Sequence, residues 1–112
     1  MKNTVDMENA LLAAFLYLDD LFFCKDDVFN INENIFTSSY RRAVAAKIND
    51  ESKNEKMYGF LSMAIEEKTA GTKFEQEWCD IISQNPMGLN VAKRIQLKLE
   101  DEYKKRAAKA FR

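Results

Sequence analysis

Apolar residues recur along this chain at intervals of three and four, a spacing that predicts helices and not strands. In residues 6–22, Leu11, Phe15, Leu18 and Phe22 form one stripe, and Leu12 and Leu16 widen it past a single face. A helix this apolar is expected to be surrounded by others, with Asp6 as its N-cap. Residues 24–34 (CKDDVFNINEN) break the pattern with acids and asparagines, and Val28, Phe29 and Ile31 are expected to pin this loop to the core. A second helix follows, capped by Thr37 or Ser38 and ending near Asn49. Phe36 precedes it, and Tyr40, Val44, Ala45 and Ile48 make its buried face. Arg41, Arg42 and Lys47 lie off that face; the arginines are expected to be exposed and to salt-bridge to acids on the preceding loop, with contact to a protein partner as the minority reading.

Residues 52–55 (SKNE) and 72–75 (TKFE) each match a capping box, in which a Ser or Thr and a Glu three residues on cap each other's backbone N–H groups. The first predicts a helix to about Lys68, with Met57, Phe60, Leu61, Ala64 and Ile65 inward. Gly71 suits the left-handed residue that ends it. The second predicts a helix to about Gln84, with Phe74, Trp78, Ile81 and Ile82 inward. Asn85-Pro86 interrupts the chain, and Pro86 suits the first turn of a final helix. Along that helix Ala92, Ile95, Leu99, Tyr103, Ala107 and Phe111 continue one stripe to the end. The pattern predicts an all-α, compact bundle of about five to six helices in a single domain of residues 1–112. Its core lies over residues 6–70, and a helical hairpin over residues 72–111 ends in a long C-terminal helix. That helix is long for a domain this small, so its last turns are expected either to protrude or to pack against a second chain.

Composition supports helices joined by short loops: three glycines, one proline, 46% apolar and 31% charged residues. A chain of this size buries roughly two thirds of its unfolded surface, enough to fold without metal or disulfide staples. The net charge of −1 hides an asymmetry. Residues 93–112 hold eight basic and three acidic residues, so this segment carries +5 and the preceding 92 residues carry −6. Such a dipolar layout suits a partner surface or head-to-tail packing. The pI of 5.5 is far from that of a dedicated nucleic-acid binder.

The chain contains no histidine and two cysteines, Cys24 and Cys79, neither in a CxxC pair. Zinc sites built from Cys and His are therefore excluded within one chain, and both thiols are expected to be buried and reduced. Glycines 59, 71 and 88 stand alone, so no phosphate-cradling loop is present. The carboxylate pairs Asp19-Asp20, Asp26-Asp27 and Glu66-Glu67, and Glu8 with them, read as solvated surface acids. A helical di-metal cluster would need ExxH motifs. No catalytic residue, metal or cofactor is expected, and the protein is not expected to be an enzyme. The longest apolar run, "ALLAAFLYL", is too short to span a bilayer and has acidic flanks, which are wrong for a secretory signal. A cytoplasmic protein without membrane association is expected. In "YKKRAAKAFR", Lys105, Arg106, Lys109 and Arg112 can form a positive strip, which the helix dipole alone largely explains.

Two segments resemble the N-terminal domain of bacterial replicative DNA helicases of the DnaB type. The first is "ENALLAAFLYLDD", with Glu8 a few residues before Leu11 and Leu12. The second is "IFTSSYRRAVAAKI", with Phe36, Tyr40, Arg41, Val44 and Ile48, where Tyr40 replaces the usual His. The helicase-binding C-terminal domain of bacterial primase is similar to the same pattern. The likeness covers residues 7–48, extends to the later hairpin only as architecture, and includes no ATPase motor. It implies a non-catalytic protein–protein interaction module of DNA replication. Such a module would self-associate as a dimer or higher oligomer, or dock a replicative helicase or primase. The implied partner surface comprises Trp78, Ile82, Leu99, Tyr103, Ala107 and Phe111; apart from the likeness, the planar forks of Arg41 and Arg42 suit contact with a protein partner. The alternative is a small nucleic-acid-binding regulator that makes weak contacts through Lys105, Arg106, Lys109 and Arg112.

Overall fold

The computed structural model describes residues 3–17, 32–54, 61–85 and 88–110. Its elements are α1 (Thr4–Tyr17), a 3-10 turn (Glu33–Ile35), α2 (Ser39–Asn54), α3 (Leu61–Thr69), α4 (Glu75–Ile82) and α5 (Leu89–Ala110). Among the described residues there is no strand. None of their helices is long and apolar enough to cross a membrane.

Helix α1 is the hub. It packs against α2, α4 and α5, and every residue from Met7 to Leu16 is buried. Its apolar residues therefore spread around the whole cylinder instead of forming one stripe. The cap differs from expectation. Asn3, not Asp6, ends the helix: the Asp6 N–H donates to Asn3 Oδ1 at 2.8 Å, and Asp6 lies in the first turn. Leu18 and Phe22 of the expected stripe lie outside the described residues, as do Val28, Phe29 and Ile31.

Helix α2 opens as expected, with Ser38 Oγ accepting the Arg41 N–H at 3.0 Å. It buries Val44, Ala45 and Ile48 and half-buries Tyr40. It does not end near Asn49 but runs to Asn54, so Ser52 of the SKNE box lies inside it and not at a helix start, and Glu55 lies outside the described residues. Neither Gly nor Pro occurs between Asn49 and Asn54, and without a breaker the helix simply continues. Helix α3 buries Leu61 and Ile65, while Met57 and Phe60 lie outside the described residues. Gly71 follows it with φ +76°, the left-handed residue that the sequence predicts.

The TKFE box is also replaced. Thr72 Oγ1 accepts from the Phe74 N–H at 3.2 Å and donates to the Thr69 carbonyl at 2.6 Å. This is a local hydroxyl turn, and α4 starts at Glu75 without a side-chain cap. Trp78 and Ile81 are buried; Phe74 and Ile82 are half-buried. Helix α5 begins at Leu89, its first bond running from the Ala92 N–H to the Gly88 carbonyl at 3.1 Å. Pro86 lies outside the described residues.

The first half of the α5 stripe is covered by this chain itself. Ala92, Ile95 and Leu99 are buried inside this chain, where α5 packs on α1 and on the 3-10 turn. Tyr103 packs against the same core. Two polar contacts hold the far half of the helix down. Thr4 Oγ1 donates to Glu102 Oε2 at 2.9 Å, and Arg106 Nη2 donates to the Ile35 carbonyl at 3.3 Å.

Candidate interaction surfaces

The buried polar joint comes from two local signals, a Glu early in α1 and an FTSSYRR entry into α2. Glu8, expected on the surface, is fully buried. Its Oε1 accepts the Thr37 N–H at 2.6 Å and Arg41 Nε at 3.1 Å, and its Oε2 accepts the Thr37 hydroxyl at 2.8 Å. Arg41, also expected to be exposed, is only 7% exposed. Its Nη2 donates to Thr37 Oγ1 at 3.2 Å, and its Nη1 lies 3.5 Å from Glu77 Oε2 on α4. Ser38 Oγ donates to the same Glu77 oxygen at 2.8 Å. One planar guanidinium thus ties α1 to α4 from its seat on α2, using the directional fork that Lys lacks. A buried ion pair needs this many hydrogen bonds to offset its desolvation. Arg42 is half-buried and donates to the Phe36 carbonyl at 3.0 Å.

Beside this joint, the Tyr40 hydroxyl is 2.8 Å from Thr69 Oγ1 and its ring stacks on Phe74 at 5.1 Å between centroids. Burial pushes the Tyr40 phenol above its usual range, Glu77 and Cys79 push the same way, and the bond to Thr69 opposes them. Tyr40 and Thr69, with Ala43, Val44 and Ile65, line an apolar cleft of about 230 Å³ between α2 and α3, flanked by Lys47 and Lys68. Among its described lining residues there is no acid and no thiol. No group of three or more His, Cys, Asp or Glu able to hold a metal occurs among the described residues. Cys79, expected to be buried, is an exposed free thiol; Cys24 lies outside the described residues.

The expected partner surface is divided between the core and its edge. Trp78 and Leu99 are 3% and 0% exposed and pack in the core. Ile82, Tyr103 and Ala107 are half-buried, and Phe111 lies outside the described residues. Of the expected basic strip, Lys105, Arg106 and Lys109 are exposed. Lys105 pairs with Asp101 at 3.1 Å, Arg106 is engaged with Ile35, and Arg112 lies outside the described residues.

The outward faces that reach solvent are different ones. On α5 the face Arg94, Leu97, Lys98 and Asp101 is exposed, with Val91 one turn earlier. Leu97 is 66% and Val91 43% exposed. On α3 the face Met63, Glu66, Glu67 and Ala70 is exposed, with Met63 at 59%. These positions follow i, i+3, i+4, i+7 spacing, so each set is one ridge about two turns long. An apolar stripe read from sequence reports burial. These ridges break the stripe pattern, and the signal that finds them is a large aliphatic residue among charges on the polar face. No family model matches this chain, and no curated protein or solved structure matches it either.

Proposed function

We propose that the chain is a non-catalytic protein–protein interaction module of DNA replication. It is similar to the helicase N-terminal domain and the helicase-binding domain of primase, and it acts by self-association or by docking a replicative helicase or primase. The observation that carries this reading is the Glu8–Arg41 joint. The two segments that bear the likeness, around Glu8-Leu11-Leu12 and Phe36-Tyr40-Arg41, meet there in space. Their residues are used for packing and internal pairing, and this reading assigns partner contact to the outer faces of α3 and α5.

The test is direct mixing. Purified chain is titrated against a replicative helicase and against a primase, and complex formation is followed by light scattering and by a surface-immobilised binding assay. Saturable binding to either supports the reading. A chain that binds neither and does not self-associate refutes it.

A second reading, a small nucleic-acid-binding regulator, draws on the exposure of Lys105, Arg106 and Lys109. Asp101 and Leu97 interrupt the basic face, which disfavours a phosphate backbone. Binding to DNA that weakens steeply with salt, and that Lys105→Glu with Lys109→Glu abolishes, would favour this reading instead.

A further inference from the structure

We propose that this chain associates with copies of itself head to tail, the outer ridge of α5 on one copy seating against the outer ridge of α3 on the next. The inference rests on reading the chain as an interaction module. It names the partner as a second copy and assigns surfaces other than the buried stripe of α5.

Four observations carry it. First, Leu97 and Met63 are the two most exposed of the large exposed hydrophobics, at 66% and 59%. Leu97 sits in the middle of its ridge and Met63 at the start of its own, and the chain's own core covers neither. Second, the surroundings are complementary in charge. Leu97 lies between Arg94 and Lys98, one turn from Asp101, on a helix with seven basic and three acidic residues. Met63 lies one turn before Glu66 and Glu67, and together with Ala64 and Ala70 these line an open depression. Third, Arg94, Lys98, Glu66 and Glu67 are exposed and make no ion pair among the described residues. Nothing in the described fold uses their charge. Fourth, α3 packs on α2 and α4, whereas α5 packs on α1 and the 3-10 turn, so the two ridges belong to different parts of the molecule.

The match is of knob to hollow and cation to anion. The Leu97 side chain covers Met63, Ala64 and Ala70 while Arg94 and Lys98 meet Glu66 and Glu67. Because the two surfaces differ, the contact is heterologous: each copy keeps one free end, and repetition gives a ring or an open chain. A contact two helical turns long is at the low end of interface sizes, so the association is weak and depends on concentration. Its charged rim makes it salt-sensitive, since the screening length is about 10 Å at 0.1 M salt and about 3 Å at 1 M.

Sedimentation equilibrium of the purified chain, up to about 1 mM, tests this at low and high salt. The average mass is expected to rise with concentration at low salt and to fall back at high salt. Leu97→Asp, which removes the knob, and the pair Glu66→Lys with Glu67→Lys, which inverts the hollow, are each expected to weaken association by about tenfold or more. Helical circular dichroism should be unchanged in both. The decisive arm is an equimolar mixture of the two variants. Each retains one intact half, so the mixture forms dimers of one of each and stops there.

A wild type that stays monomeric throughout overturns the proposal, as does a mixture that forms no dimer, or self-association that neither variant weakens. A monomeric wild type that still binds a helicase or primase overturns the self-contact and leaves the interaction-module reading standing. Mass growth seen only after nucleic acid is added likewise overturns the self-contact and assigns the α5 face to phosphate binding.

Discussion

At the scale of single residues, the Glu8–Arg41 pair decides how three helices sit. Removing one partner strands a charge in the interior. Glu8→Ala is therefore expected to cost about 3 kcal/mol in urea unfolding, and Arg41→Ala a similar amount. The double replacement Glu8→Met with Arg41→Met is expected to cost clearly less than the sum of the single losses, because neither charge is left unpaired. Additive losses would mean that the two side chains do not depend on each other. Sequence reading placed both residues outside because a charged residue is rarely fully buried unless paired. Periodicity alone does not show that residues 33 positions apart are partners. The likeness to the helicase domain did single out Glu8 and Arg41 together, as motif positions without a physical role.

At the scale of elements, the sequence located helices well and their ends poorly. Val44, Ala45 and Ile48 on α2, Leu61 and Ile65 on α3, and Trp78 and Ile81 on α4 are buried where their spacing put them. Both capping boxes failed for physical reasons. Ser52 sits in a helix that meets no breaker, and the Thr72 hydroxyl is taken by the Phe74 N–H before Glu75 can be reached. A capping motif competes with every other local use of the same oxygen. The cap that forms on α1 gives a discriminating prediction. Asn3→Ala is expected to lower stability by about 1 kcal/mol through loss of its bond to the Asp6 N–H. Asp6→Ala loses only its interaction with the helix dipole, a few tenths of a kcal/mol. Thermal or urea denaturation of the two variants side by side checks the order.

At the scale of the whole molecule, the all-helical bundle and its long last helix were legible, and the destination of that helix's stripe was not. An amphipathic helix states that it needs a cover, without saying whether the cover comes from the same chain. Here α1 supplies it. Leu99→Ala is accordingly expected to cost about 3 kcal/mol, as befits a fully buried leucine. Leu97→Ala, two residues away and mostly exposed, stays within about 0.5 kcal/mol. Equal effects on folding stability at both positions would contradict this packing. In self-association the ranking inverts, with Leu97 as the sensitive position.

The embrace of α1 by α5 also bears on how the protein comes into being. Thr4 and Glu102, joined across these helices, are 98 residues apart. A ribosome releases the greasy hub long before its lid. Until α5 has emerged, the face of α1 that it covers stays exposed even after α2 and α4 have docked, and the core closes only when α5 swings back. A product cut short before α5 is therefore a candidate for clumping or for capture by chaperones.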